Sequence, residues 1–493
     1  MSNINGVIKA IQDIMRKDVG VDGDAQRISQ LVWMFFLKIY DDREAELELL
    51  EDGYASPLPE HLRWRNWAAN PEGMTGDELS DFVNLQLFPT LKEKLSLHGK
   101  NAQRAAVIRA MFEDAYNYMK SGTLMRQVIN KICEIDFNSA KDRHTFGSIY
   151  EKILKDLQSA GNAGEFYTPR AVTQFIVNRV APKLHEIVLD PACGTGGFLA
   201  SAIDHKREKF VTSAQDEEML QQSIFGVEKK ALPHMLCTTN MILHGIDIPT
   251  NIKHENTLSR PYKDYGKADR VHVIVTNPPF GGMEEDGIEQ NFPAHFRTRE
   301  TADLFMALIM KLLHDHGRAG VVLPDGFLFG EGTKTRLKET LLNACHLHTI
   351  VRLPNGVFNP YTGIKTNILF FTKQPEHAHP GTQRVWFYEH PYPAGATSYN
   401  KTNPIRFEEF QAEIDWWGDE ADDFAARVET EQAWQVSRDE IIARNYNLDI
   451  KNPHVGEQAN HDPAALLADY ARQQAEIQQL RDQLKGILAD ALR

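Results

Sequence analysis

Asn277, Pro278, Pro279 and Phe280 stand at the end of an alternating apolar run, Val271 to Thr276. The tetrapeptide is therefore delivered at the carboxyl end of a predicted buried strand. Each proline fixes its own φ and biases the residue before it toward extended geometry. The Asn277 side chain and the Pro278 carbonyl then point outward with little freedom. Two acceptors converging on one point suit an exocyclic amine on a planar ring. Binding both of its hydrogens draws the nitrogen lone pair out of ring conjugation and aims it at an electrophile. Phe280 offers a face on which a base can stack. Taken alone, the same four residues also end an ordinary strand in a turn, and the rest of the chain has to decide between the two.

A second group lies upstream, where Asp190, Pro191, Ala192, Cys193, Gly194, Thr195, Gly196, Gly197 and Phe198 follow one short apolar run and precede a helix opening at Leu199. The glycines let the backbone approach a ligand closely, but the third glycine of the pyrophosphate fingerprint is missing and no Lys or Arg is near. A P-loop is excluded because no Gly-Lys-Ser or Gly-Lys-Thr follows. An acid opens the loop instead, which suits a ligand bearing a cationic amine. The next predicted strand ends in Gly226, Val227 and Glu228, placing a carboxylate where a ribose diol would cross the sheet edge. Together these features describe a pocket for a nucleoside with a charged amino-acid arm, and S-adenosylmethionine is that molecule. Cys193 has no base paired to it and reads as a small packing residue, so no covalent intermediate is expected.

The elements that must position these residues fall into a clear order. Val7, Ile8, Ile11, Ile14 and Met15, then Ile28, Leu31, Val32, Phe35, Phe36 and Ile39, recur at helical spacing, as do stretches from about Leu91 through Ile153. Residues 1–158 are expected to form an all-α domain, ending at the small-residue loop Ser159 to Gly164. Short apolar runs then alternate with helices, the pattern of a mostly parallel, doubly wound α/β sheet. Six strands are predicted, at Glu186 to Leu189, Ile224 to Val227, Val271 to Thr276, Gly320 to Leu323, Thr349 to Leu353 and Asn367 to Thr372. Residues 159–376 would be the catalytic domain, and residues 377–461 an irregular acidic region. After Asp462 and Pro463 the positions Leu466, Tyr470, Gln473, Ile477, Leu480, Leu484, Ile487 and Ala491 alternate by four and three. This is a heptad seam, so residues 462–493 are expected to form a coiled-coil-like helix that docks on another subunit.

Composition narrows the class further. At 493 residues the chain is too long for one compact core. It has no apolar run of membrane-spanning length and no basic-then-apolar leader, so it reads as a cytoplasmic protein. Its four cysteines lie far apart without ligand spacing, and neither a disulfide framework nor a metal is indicated. Net charge is −14, and between Glu408 and Glu431 ten acidic residues face one basic residue, Arg427. That run reads as a solvated surface that would repel a phosphate backbone. No helix-turn-helix, zinc finger or basic arm is visible, so target choice is expected to lie in another chain.

The glycine loop, the strand-tip Glu228 and the Asn-Pro-Pro-Phe element, in that order, resemble those of DNA amino-methyltransferases. The chain as a whole resembles the modification subunit of type I restriction-modification systems. Gly164 to Arg170, Thr301 to Phe305, Thr362 to Asn367 and Asp24 to Ile28 carry that closer likeness, which spans about residues 4 to 375. It implies a Rossmann-like S-adenosylmethionine-dependent sheet that methylates adenine N6 in double-stranded DNA. It also implies cofactor contacts at Glu165, Tyr167, Thr168, Asp190, Gly194, Thr195, Gly196, Gly197 and Glu228, with Asn256 where the family often has Asp against the adenine. Catalytic roles fall to Asn277, Pro278, Pro279 and Phe280, with Phe358 or Tyr361 as further base contacts. The implied partners are a specificity subunit bound by two modification subunits, and an endonuclease/translocase subunit. Guanine-N2 methyltransferases of RNA and protein-glutamine methyltransferases share related tetrapeptides, but they lack the long helical domain and the Thr362 to Asn367 segment. A catalytically silent assembly subunit is disfavoured by the intact Asp190, Glu228 and Asn277.

Overall fold

The computed structural model describes residues 4–50, 52–135, 137, 150, 167–359, 362–375, 381–400, 403–454 and 463–491. Glu165, Phe166, Tyr361, Asp462 and the boundary loop 159–164 lie outside the described residues, as does most of the helix expected at 145–157.

The N-terminal part is helical as expected: α1 (Ile4–Met15), α2 (Asp24–Leu50), α3 (Ala102–Phe112) and α4 (Gly122–Cys133) are its longer helices. The α2 stripe Ile28, Leu31, Val32, Phe35, Phe36 and Ile39 is fully buried, because spacings of three and four put all six on one face. After α2, helical turns return earlier than the sequence suggested, at Glu60–Leu62 and Trp64–Trp67. The helical core also takes in Met235, Leu236, Ile242 and Leu243 of the catalytic domain. Arg43 of α2 reinforces this junction by donating from Nε and Nη2 to Asp247 at 3.0 and 2.5 Å.

After α5 (Arg170–Val180) come β1 (Val188–Asp190), α6 (Gly197–Phe210), β2 (Ile224–Glu228), α7 (Ala231–Leu243), β3 (Ile252–His254) and β4 (Val271–Thr276). They are followed by α8 (Thr301–Leu312), β5 (Leu313–Pro324), β6 (Cys345–Arg352), β7 (Thr366–Lys373), β8 (Arg384–Glu389) and β9 (Ala433–Ser437). Among the described residues all nine strands form one sheet in the order β3-β2-β1-β4-β5-β7-β6-β8-β9. Strands β1 to β5 pair in parallel, and β7 is inserted antiparallel between β5 and β6. Alternation explains the double cover: Val273 and Val275 of β4 join the core on one face, and Ile274 joins the other. Ile368 and Phe370 of β7 divide from Leu369 and Phe371 in the same way.

Two expectations need correction. The described part of the segment 377–461 is not irregular: β8 pairs in parallel with β6, and β9 runs antiparallel to β8, extending the catalytic sheet. The acidic run is also not simply a solvated face. Glu413 is buried against His390, Glu420 accepts from the His346 ring at 3.0 Å and Glu409 from the Tyr399 hydroxyl at 2.5 Å. Its one cation, Arg427, is buried beside Phe424, Trp416 and Trp417. The last helix, α9 (Pro463–Ala491), forms as the heptad spacing predicts. Tyr470, Ile477, Leu480 and Leu484 of its seam are between 42% and 65% exposed.

Candidate active site at the carboxyl edge of the sheet

The chain runs outward from β1 through β2 to β3, then returns to the other side of β1 as β4. That reversal opens a crevice between the carboxyl ends of β1 and β4, where ligands of open α/β sheets bind. Asp190 closes β1 and Thr276 closes β4, and the Thr276 hydroxyl donates to Asp190 Oδ1 at 2.7 Å. The Ala192 N–H adds a second bond to the same oxygen at 3.1 Å. Asp190 is almost fully buried. Burial pushes its carboxyl up to about 7, nearby Glu228 adds to the rise, and the two donors oppose it.

The glycine loop is held from behind. Gly194 N–H donates to Glu228 Oε2 at 2.9 Å and Lys230 N–H to Oε1 at 2.8 Å, so Glu228 braces the loop as well as standing at the tip of β2. Asn240 of α7 donates to the Thr195 carbonyl at 3.1 Å, and Arg170 to the Gly197 carbonyl at 3.0 Å. Gly194 has φ +51° and open space on its Cβ side, whereas a Cβ on Gly196 (φ +81°) would meet Cys237 Sγ at 2.8 Å. Gly194 therefore faces the crevice, while Gly196 lets the loop pack on α7. The sulfurs of Cys193 and Cys237 are 3.6 Å apart, a proximity their sequence spacing concealed. Its hydrogen bond with Cys237, and then burial, raise the Cys193 thiol well above its usual range, and such a thiol is a poor nucleophile.

A narrow cleft of about 30 Å³ joins Tyr167, Thr168, Asp190, Ala192, Cys193, Gly194, Thr195, Gly197, Phe198 and Asn277. Seven of the expected site residues are thus brought together there, while Gly196, Glu228, Asn256, Pro278, Pro279 and Phe280 do not line it. Asn277 Nδ2 donates to the Thr168 hydroxyl at 2.9 Å. Among the described residues its Oδ1 is buried without a hydrogen-bond partner, a condition costing about 1–3 kcal/mol unless a ligand supplies a donor. Phe280 is buried and stands edge-on to Phe358, with ring centroids 6.4 Å apart. Asn256 turns inward: Oδ1 accepts from the Leu258 N–H at 3.0 Å and Nδ2 donates to Glu284 at 3.3 Å. Glu284 carried no local signal in the sequence, because it is one of three consecutive acids, Glu284, Glu285 and Asp286, in a glycine-flanked loop.

A seven-stranded core with β7 inserted antiparallel, a glycine loop after β1 and Asn-Pro-Pro-Phe after β4 define a methyltransferase of the amino-group class. Residues 141–462 match the model of the N-6 DNA methylase family, and residues 4–132 match that of the HsdM N-terminal domain. The chain is 65% identical to the type I restriction enzyme EcoEI methylase subunit of Escherichia coli, over 99% of this chain and 98% of that one. It is 28% identical to the EcoKI methylase subunit of E. coli strain K12, over 85% and 77% respectively. A solved chain from Vibrio vulnificus YJ016, assigned as the modification subunit of a type I restriction enzyme, superposes with TM-score 0.80 at 42% identity, covering 91% of this chain and 96% of that one. A chain from a type I restriction-modification assembly superposes with TM-score 0.79 at 35% identity, covering 99% of each. The chain belongs to the N-6 DNA methylase family, among the methylase subunits of type I restriction enzymes.

Proposed function

We propose that the crevice between β1 and β4 holds S-adenosylmethionine and that Asn277 and Phe280 receive a flipped adenine from DNA. The chain is an adenine-specific DNA methyltransferase acting as the modification subunit of a type I restriction-modification system. The observation that carries the site assignment is the buried Oδ1 of Asn277, unpartnered among the described residues, beside a cleft lined by Asp190 and the glycine loop.

The residues present fit the cofactor. Asp190 offers a carboxylate to a cationic amine, Gly194 leaves room for close backbone approach, and Glu228 keeps lone pairs for a ribose diol. When bound, S-adenosylmethionine supplies a methyl group on a sulfonium. Asn277 Oδ1 and the Pro278 carbonyl accept the two amine hydrogens of adenine, which localises the lone pair on N6. Phe280 and Phe358 bound the base apolarly and help repay the few kcal/mol spent on unstacking it. Asn277 Nδ2 stays on Thr168, so the amide is oriented before the base arrives.

Target choice falls to a specificity subunit that two copies of this chain bind, with an endonuclease/translocase subunit joining for restriction. The exposed seam of α9 supports that docking role. Residues 1–158, 159–376, 377–461 and 462–493 serve as helical domain, catalytic domain, sheet extension and docking helix. Comparing methylated positions in a host genome with and without this gene tests the reading. It expects N6-methyladenine at one recognised sequence to vanish with the gene; loss of N4-methylcytosine instead, or of nothing, overturns it.

A further inference from the structure

Glu284 lies seven residues beyond Asn277, in the loop that leads from the target-base tetrapeptide to α8, and only 7% of it is exposed. Its Oε2 accepts from the Lys229 ammonium at 3.2 Å and from Asn256 Nδ2 at 3.3 Å, and its Oε1 from the Thr301 hydroxyl at 3.3 Å. Its backbone is fixed as well, with its N–H donating to the Arg299 carbonyl at 2.9 Å. Met283 pairs antiparallel with Glu300, the Thr301 N–H donates to the Gly282 carbonyl at 3.1 Å, and the one hydroxyl proton of Thr301 is shared between that carbonyl, at 3.0 Å, and Glu284 Oε1. Residues 282–284 and 299–301 therefore form a short ribbon clipped to the start of α8.

The partners of this one carboxylate come from opposite halves of the site. Lys229 follows Glu228 at the tip of β2, and Asn256 follows β3, so both belong to the cofactor side. Thr301 belongs to the ribbon that continues from Phe280, on the side of the target base. A packing role alone would be met by an apolar side chain, since burying a carboxylate is costly unless its partners are kept. A surface ion pair would need only Lys229, which also reaches Glu285 at 3.0 Å. Asn256 is set by the same contact, because its other amide group is already committed to Leu258.

We propose that Glu284 is a positioning residue that couples the two halves of the site, holding the ribbon beside the target base against Asn256 and Lys229. Filling the cofactor crevice and closing on DNA then favour each other, and linkage requires the effect to be reciprocal. The inference rests on the site assignment proposed above and adds the residue that joins its parts.

The test uses the full chain assembled with its specificity subunit. S-adenosylmethionine affinity is measured by calorimetry with and without a duplex carrying the site mapped from the host's methylated adenines. The native complex should bind the cofactor at least about fivefold more tightly when the duplex is present. Glu284→Ala should bring that ratio close to one, Glu284→Gln should leave it intermediate, and Asn256→Ala added to Glu284→Ala should lower it no further. Thr301→Val, which removes one donor while keeping shape, should reduce the ratio too and carries the test if Glu284→Ala fails to fold. A native-like ratio in folded Glu284→Ala, or no coupling in the native complex, overturns the proposal. A native complex that neither binds S-adenosylmethionine nor methylates the duplex overturns the site assignment instead.

Discussion

Burial and use pull in opposite directions on Asp190. Its carboxyl keeps a proton up to about 7 in the fold, against an ordinary value of 3.8. Between those two values the folded state binds more protons than the unfolded one, so this group's contribution to stability falls as pH rises across the interval. A cationic ligand favours the ionised form, so S-adenosylmethionine affinity should climb up to about tenfold per pH unit until about pH 7, then drop as the ligand's amine deprotonates near about pH 8. Calorimetry across this range checks it: Asp190→Asn should flatten the rising limb, and a flat profile in the native protein contradicts the assignment. Gly196 makes a different prediction from its neighbours in the loop. A Cβ there would strike Cys237 behind the loop rather than enter the crevice, so Gly196→Val should cost about 1–3 kcal/mol through overpacking and positive-φ strain. Thermal melting should reveal that loss alongside weakened cofactor binding, and an unchanged melting temperature would contradict the packing role.

At the scale of elements, much of the sheet was legible because its central strands are buried on both faces and read as apolar runs. Val271 to Thr276 and Ile224 to Val227 are clear examples, and both tips carry site residues. Ile252, Lys253 and His254 of β3 are too few and too polar to announce a strand. Strands β8 and β9 were hidden for another reason: Pro380, Pro391, Pro393 and Gly395 surround β8, and the acids between the two strands mimic a solvated surface. Their partners lie far away in sequence. Glu413 needs His390, and Arg427 needs the Trp417 and His348 carbonyls, to which it donates at 2.7 and 3.3 Å. The same limit hid Glu284, whose role depends on residues brought from β2, β3 and α8. Burial lowers the Arg427 guanidinium to about 9. Arg427→Ala should cost about 2–4 kcal/mol, since it opens a cavity and orphans two carbonyls. A melt unchanged from the native protein would show that the β8–β9 layer is dispensable to the fold.

At the scale of the whole molecule, α7 joins the helical domain to the catalytic sheet, with Met235, Leu236, Ile242 and Leu243 in the helical core and Cys237 and Met241 in a core of the sheet. Tyr470, Ile477, Leu480 and Leu484 of α9, in contrast, are exposed. Among the described residues no helix is long and apolar enough to cross a membrane, and the net charge of −14 gives the chain no general attraction to DNA. The isolated chain should therefore bind DNA weakly and methylate it poorly until a specificity subunit is added. Removing residues 462–493 should leave folding and cofactor binding intact while abolishing co-purification with that subunit. Normal assembly and methylation by the truncated chain would make α9 a local packing element only. The central claim, that Asn277 receives the adenine amine, is tested most directly by single-turnover methyl transfer in the assembled complex. Asn277→Ala should slow transfer by about 10²-fold or more with S-adenosylmethionine affinity nearly unchanged. Near-native transfer by that variant would contradict the account.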